Sequence, residues 1–556
     1  MKLINRFRSF SSVCLLAGGV LVAGCSDFLS EELYIRYSEE ETFSNVELVE
    51  SASLGIYDEV SNMEMYGRDI PYLEATTDID LYYSAAATSS TNDAGQIANF
   101  NINVKNTYIE NFWKHYYAAI NRANLVIVNA ASCKTNSEEE EFRLRMYLAE
   151  AKTLRAFFYL ELVKRWGDVP LMLEPGTLSD LFHARTPRYE VYAQMIKDLE
   201  EAIPDLPWFD EEAYEKGHMH KGAAMGILAR VCLFAGGYSL NMNGEMTRPE
   251  NYKEYYQKVV DVTGELVTSG KHRLNPDYKD IFYKICQNEL EPSESLFEIP
   301  LAYLKGQNRH MSTIGTLAFG LKISGYSSTF DCNSRMNTHE YARSKFCEGD
   351  LRRDISIADY SLSGVNFEHR PITDAGAFMY AKWRRDWHKA EPESRLATDI
   401  NNVILRYAEV LLMRAEALNE LSIGGVDREA VELVNKVRRR GYGVDVDVPN
   451  AVADVPVEQC SDKTVFFNFL TEEYARELLG EGGRRFHLIR WNLLKDKLAA
   501  ISVIFEDENE RKKYFGNRYS FMAGRCFVHG KHELYPIPYR EMVENKGWTN
   551  NPGYTD

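Results

Sequence analysis

One stretch, Asn402 to Leu421, sets the pattern for the rest of the chain: NVILRYAEVLLMRAEALNEL. It lacks Gly and Pro and is built from good helix formers, so it predicts a helix of about five turns. Val403, Leu405, Ala408, Leu411, Leu412, Ala415 and Leu418 fall on one broad apolar side. Arg406, Glu409, Met413, Glu416 and Glu420 trace a narrower, mostly polar stripe. A helix this apolar must be covered on more than one side. Ala408 and Ala415, two turns apart, leave room for a neighbouring helix to come close. One member of a stacked helical hairpin is built this way, and so is a buried helix of an all-α enzyme.

The same period recurs along the chain. It predicts helices over Val46–Met63, Tyr108–Ala131, Tyr189–Ala202, His220–Ala235, Tyr252–Thr268 and Arg428–Arg440. Ser137-Glu138-Glu139-Glu140 fits a capping box that opens a helix reaching Trp166. Thr471–Leu494 is helical with an interruption at Gly480-Glu481-Gly482-Gly483. Two segments lose the period. Gly67–Asn106 reads as a long loop region, and Asn275–Asp399 as loops and short strands rich in Ser, Gly, Asn and aromatics. The pattern predicts a mainly α fold: about four divergent TPR-like helical pairs with a large irregular loop and short-strand insertion.

Composition adds limits. The chain of 556 residues is 45% hydrophobic and 26% charged, as in ordinary globular proteins. Its net charge of −18 argues against nucleic acid and against a basic membrane-binding face. The amino terminus differs from the rest. Lys2, Arg6 and Arg8 precede a short apolar run, Val13–Val22, which ends in Val22-Ala23-Gly24-Cys25. Residues 1–24 read as an export signal. Small residues before a cysteine resemble a bacterial lipobox, which makes Cys25 the lipidation site, anchored by two or more acyl chains. Of nine cysteines, Cys14 leaves with the signal and Cys25 takes lipid. The rest are scattered, which is neither a disulfide framework nor a zinc site.

Five motifs then converge on a known family. Cys25-Ser26-Asp27-Phe28-Leu29 follows the lipobox. Ile404-Leu405-Arg406-Tyr407-Ala408-Glu409 with Ala415-Glu416-Ala417 and Asn419 lies in the helix described first. Glu477-Leu478, Glu481-Gly482, Arg484 and Leu488-Ile489-Arg490-Trp491 follow it. Tyr535-Pro536-Ile537-Pro538 and Asn551-Pro552-Gly553-Tyr554 close the chain. In this order the motifs resemble the SusD/RagB family of outer-membrane lipoproteins. Tyr474 and His487 depart from the family's usual arginine and aspartate, so a local ion pair is expected to be lost there. The resemblance implies a lipid-anchored protein of the outer membrane, facing the cell exterior, with no other contact to the bilayer. It implies a binder of oligosaccharide (or peptide) that hands its ligand to a SusC-like TonB-dependent barrel transporter. The chain then divides into a signal (1–24), an N-terminal helical region (25–270), an irregular insertion on the ligand side (271–400) and a C-terminal region completing the scaffold (401–556).

A sugar-binding surface needs flat apolar faces for pyranose rings and short polar groups for hydroxyls. Two loop regions offer both. The first holds Asp78, Asp80, Tyr82 and Tyr83; the second holds Asn308, His310, Tyr326, Phe330 and Asp331, then Trp383, Arg384 and Trp387. Asp80, Tyr82, Tyr83, Asn308, Tyr326, Phe330 and Trp387 are the candidate ligand contacts. Trp383 matches a core position of the family, and Trp113, Trp166 and Trp491 sit in helical motifs. Catalytic signals are weak: Asp78 with Asp80, and Glu472 with Glu473, fit a solvated face or helix start better than a glycosidase pair. His218-Met219-His220 offers two metal ligands without a third nearby in sequence, and His220 suits a helix cap. Arg438-Arg439-Arg440 ends a helix, where cations suit the dipole. Neither a catalytic set, a metal set nor a cofactor fingerprint is legible. The expected protein is a non-enzymatic binder. An all-α surface glycoside hydrolase and a protein-binding TPR-like scaffold are the competing readings.

Overall fold

The computed structural model describes residues 43–70, 74, 76–82, 93–177, 182–303, 309–388, 394–518 and 521–555. The expected signal, Cys25, Tyr83 and Asn308 lie outside them. The architecture is mainly α. Helices α1 (Val46–Asp58), α2 (Thr107–Asn129), α3 (Glu138–Trp166), α4 (Arg188–Ala202), α5 (Lys221–Gly236) and α6 (Tyr252–Thr268) form a stack in which α2 to α6 each pack on the helix before, and α1 lies against α2 and α3. The short helix α7 (Tyr278–Cys286) leads into the irregular region. The stack resumes with α8 (Tyr407–Leu421) against α6, then α9 (Arg428–Gly441) and α10 (Lys463–Glu477), both against α8. Helix α11 (Arg484–Arg490) follows the glycine turn.

Local chemistry sets most boundaries. Ser137 caps α3 by accepting from the Glu140 amide at 3.1 Å. His220 caps α5, its Nδ1 accepting from the Ala223 amide at 3.2 Å. Between α10 and α11, Gly480, Gly482 and Gly483 all hold φ near +80°, at 81°, 86° and 78°. At Gly480 a Cβ would also stand 2.7 Å from the Tyr380 ring, so only glycine fits.

Two expectations change. The helix predicted from Asn402 starts at Tyr407; residues Asn402–Arg406 are a strand paired antiparallel with Ser295–Ile299. Val403 and Ile404 are β-branched and satisfy either state locally, and the pairing partner more than 100 residues away decides. The loop region after Gly67 contains a short helix, Asp93–Ala98.

The core is continuous along the stack. Trp113, Trp166, Trp383 and Trp491 are all buried in it. Where the stack meets residues 290–385, a lattice of buried ions replaces apolar contact. Arg406 reaches Glu294 and Glu477, both at 2.9 Å, and Glu481 at 2.6 Å. Arg440 reaches Glu294 at 2.8 Å and Glu477 at 2.6 Å. Arg352 reaches Asp350 at 2.7 Å, Glu473 at 2.6 Å and Glu477 at 3.1 Å. Arg438, Arg439 and Arg440 end α9 as expected, and their side chains are not left at the surface: all three are buried ion partners. Glu472 and Glu473 are likewise not a solvated face: Glu472 pairs with Lys345 at 2.8 Å, and Glu473 is fully buried.

Burial raises the Glu477 carboxyl, but Arg440, Arg406 and Arg352 outweigh it and bring it down to about 2. A depressed carboxyl contributes stability above its unfolded value of about 4.5, lost as pH falls toward 2. Glu477→Gln is therefore expected to cost ~3–5 kcal/mol at neutral pH, because it strands Arg406 and Arg440. The loss should shrink steadily between pH 4.5 and the acid unfolding limit. Chemical denaturation across pH measures it; a cost that does not depend on pH in that window refutes the assignment.

Candidate ligand-binding surface

The irregular region carries a small sheet of its own. Ile323–Ser324 pairs parallel with Tyr360–Ser363, which pairs antiparallel with Glu368–Pro371. A satellite apolar cluster, including Leu321, Ile323, Phe330, Leu362 and Met379, lies beneath it. The sheet and its loops support aromatic rings. Tyr326 stacks on Phe330 with centroids 4.3 Å apart and on Phe367 at 5.3 Å, nearly parallel at 13°. Tyr360 stacks on His369 at 3.9 Å.

These rings are positioned by polar clamps. The Asp331 carboxylate accepts from the amides of Gly325 at 2.8 Å and Tyr326 at 2.9 Å, fixing the tight loop that aims Tyr326. Phe367 sits at φ 52°, a left-handed conformation uncommon for an aromatic residue, at the end of the hairpin that carries it. Arg385 lies over the Phe330 ring at 5.0 Å and donates to the carbonyls of Thr329, Ser394 and Arg395.

A second group adjoins through Arg384. Its guanidinium grips Asp386 with two hydrogen bonds of 3.1 and 2.7 Å, donates to the Tyr360 hydroxyl at 2.9 Å and lies 4.8 Å from the Trp387 ring. Trp387 is half-buried, edge-on to the exposed Tyr283 at 5.7 Å, with the Lys279 ammonium 5.4 Å from its ring. Together the rings form a ledge. Tyr326, Tyr360, Phe367 and Trp387 are each partly exposed, with Arg384 and Lys279 as hydrogen-bond donors beside them.

The structure thus brings Tyr326, Phe330 and Trp387 to one region, with Phe330 buried beneath Tyr326. It takes Asp80 and Tyr82 elsewhere. Leu81–Tyr82 pairs with Met336–Asn337, and Tyr82 is 1% exposed. Asp78 is held by Arg484 with two hydrogen bonds of 2.9 Å and by Lys345 at 3.3 Å, so it ties its loop to α11. His310 contacts the Ser61 carbonyl at 2.8 Å, next to the end of α1. Sequence reasoning missed Tyr283, Tyr360, Phe367 and His369. The run Tyr360-Ser361-Leu362-Ser363-Gly364 followed by Phe367-Glu368-His369 alternates around a glycine turn and was a usable hairpin signal. Tyr283 carried none, since it lies on an otherwise ordinary amphipathic helix.

With this geometry in place, comparison with known proteins decides the family. Two family models match: "SusD family" over residues 361–554 and "Starch-binding associating with outer membrane" over residues 27–233. The chain belongs to the SusD/RagB family. Among curated relatives, SusD-like protein P25 of Formosa agariphila is 24% identical over 94% of both chains. The starch-binding protein SusD of Bacteroides thetaiotaomicron is 23% identical, covering 73% of this chain and 72% of that one. Among solved structures, a SusD homologue from the same organism superposes with a TM-score of 0.81 at 27% identity, over 93% of this chain and 99% of that one. A surface glycan-binding protein A from Bacteroides thetaiotaomicron, solved with laminarihexaose, shares the fold at a TM-score of 0.66 and 19% identity, over 91% and 99%.

The two departures from the SusD/RagB pattern are accommodated. The Tyr474 hydroxyl donates to Glu416 at 3.2 Å, and its ring meets His487 edge-on at 5.2 Å. Arg490 and the Trp491 indole also bind Glu416, so that carboxylate keeps its partners.

Asp80 leads to a separate expectation. Burial pushes its carboxyl up to about 6, against hydrogen bonds from Thr77 and with Asp78 adding to the rise. A raised carboxyl contributes stability below its ordinary value of 3.8, and that stability is lost as pH climbs from 3.8 through about 6. Asp80→Asn should therefore raise the melting temperature at pH 7.5 and leave it unchanged at pH 4. An equal effect at both pH values, measured by calorimetry, contradicts this.

Proposed function

We propose that this protein is a non-enzymatic, cell-surface glycan-binding lipoprotein that captures oligosaccharides on the aromatic ledge. The observation that carries the proposal is the set of partly exposed rings Tyr326, Tyr360, Phe367, Trp387 and Tyr283, backed by the fixed Arg384 guanidinium. Pyranose rings present apolar C–H faces that stack on such rings, while Arg384 and Lys279 supply donors for hydroxyl oxygens. The clamps on Asp331 and Arg384 keep the surface ordered before ligand arrives, which lowers the entropic cost of binding. Asp386, beside the rings, is engaged by Arg384 and is therefore poorly placed to act as a free acid or base.

Relatives described as starch-binding and as glycan-binding support the reading. The lipobox at Cys25 supports an anchor in the outer membrane with the body outside the cell. Among the described residues no helix is long and apolar enough to cross a membrane. Family membership supports delivery of the ligand to a SusC-like TonB-dependent barrel.

Calorimetric titration of the purified protein with a panel of neutral oligosaccharides tests the proposal. At least one should bind, and the double variant Trp387→Ala, Tyr283→Ala should weaken it by about tenfold or more, roughly 1.4 kcal/mol, without lowering the melting temperature. Unchanged affinity in that variant removes the ledge from the site. Steady release of reducing ends would instead establish a hydrolase.

A further inference from the structure

His218, set aside in the sequence for want of a third ligand, acquires two partners in the fold. Glu50 of α1, together with Glu215 and His218 of the connection between α4 and α5, presents one ligand atom each, all within 4.8 Å of one another. We propose that these three residues bind one zinc-class divalent cation.

The argument starts behind the histidine. Glu150 of α3 is 1% exposed and accepts four hydrogen bonds: from Ser53 Oγ at 3.0 Å, Tyr57 Oη at 2.6 Å, the Met219 amide at 2.9 Å and His218 Nδ1 at 3.0 Å. A carboxylate so surrounded by donors stays ionised and only accepts. Nδ1 of His218 therefore carries a proton, and Nε2 lies on the Glu215 side, 3.8 Å from its Oε2. Buried carboxylates orient metal-bound histidines in this way. The His218 side chain is 8% exposed, yet Nε2 makes no hydrogen bond; its nearest ion partner is Glu215 Oε2 at 3.8 Å. A nine-tenths buried ring, held through Nδ1 by Glu150, thus leaves Nε2 beside the Glu215 carboxylate.

Glu50 is also fixed. Arg143 Nη2 at 2.6 Å and Tyr147 Oη at 2.8 Å both donate to its Oε2, leaving Oε1 without a hydrogen bond. Glu215 is the adjustable member, 49% exposed on its loop. Ligand atoms around a tetrahedral zinc stand ~3.3 Å apart, so a small rotation of Glu215 closes the set. One imidazole and two carboxylates select a borderline cation. Calcium requires six or more oxygens, and three side chains here do not supply them. The bound ion would staple α1 to the connection leading into α5, with solvent in its open position.

Chelator-treated protein titrated with zinc chloride tests this by calorimetry, with thermal melts in parallel. One zinc per chain at micromolar Kd or tighter is expected, with a rise in melting temperature. Glu215→Gln, at a half-exposed loop position, should weaken zinc at least tenfold while the metal-free protein melts as the unaltered one does. His218→Gln should abolish the same site. Absence of stoichiometric zinc binding, or binding that survives both substitutions, overturns the proposal, as does calcium binding there as tightly as zinc.

Discussion

The structure depends on the ion lattice where the helical stack meets the irregular region. Arg352, Arg406 and Arg440 are fully buried, as are Glu294, Glu473 and Glu477. Each of these arginines has at least two carboxylate partners. Charges taken out of water cost several kcal/mol each unless geometry and hydrogen bonding are nearly complete. Removing a member therefore leaves an opposite charge short of a partner. Its members come from distant parts of the chain: Glu294 before the first long strand, Arg352 inside the irregular region, Arg406 at the end of the strand that leads into α8, and Arg440, Glu473 and Glu477 from the stack. An apolar interface tolerates sliding, whereas fixed guanidinium–carboxylate forks impose one register.

That register carries outward to the ledge. Lys382 donates to the Glu477 carbonyl at 2.8 Å and to Glu481 at 2.5 Å. The Trp383 indole donates to the Gly480 carbonyl at 2.7 Å. Arg384, Arg385 and Trp387 follow directly in the chain. Four residues therefore separate the Lys382–Glu481 ion pair from the half-buried Trp387 ring, and the ledge inherits its position from the lattice. Rigid scaffold beneath and variable loops above is the usual division between stability and recognition. The SusD homologue with a TM-score of 0.81 retains the backbone at only 27% identity, in keeping with that division.

The helices and most of their ends were legible in the sequence, because apolar period and caps are local. Ser137, His220 and the glycines at 480–483 announce their roles within a few residues. The motifs around Arg406, Glu477 and Arg484 were legible as a family resemblance, although nothing local explained why charges stand in an apolar stretch. The ledge was legible only in part. Aromatics in a loop look alike in sequence whether they face solvent, as Trp387 does, or fill the interior, as Tyr82 does.

Sequence alone determined that the chain is a helical stack interrupted by two irregular segments, the second of them long, since hydrophobic period and turn chemistry act between near neighbours. Tertiary structure decided what depended on distant partners. Residues 402–406 became a strand because Ser295–Ile299 lies beside them. Arg438 and Arg440 went inward because glutamates from elsewhere were there to meet them. Tyr360 and Trp387 came together because the Arg384 guanidinium reaches both, and Tyr283 of α7 meets Trp387 edge-on. Long-range pairing of charges and strands leaves no periodic trace, so it appears only once the chain is folded.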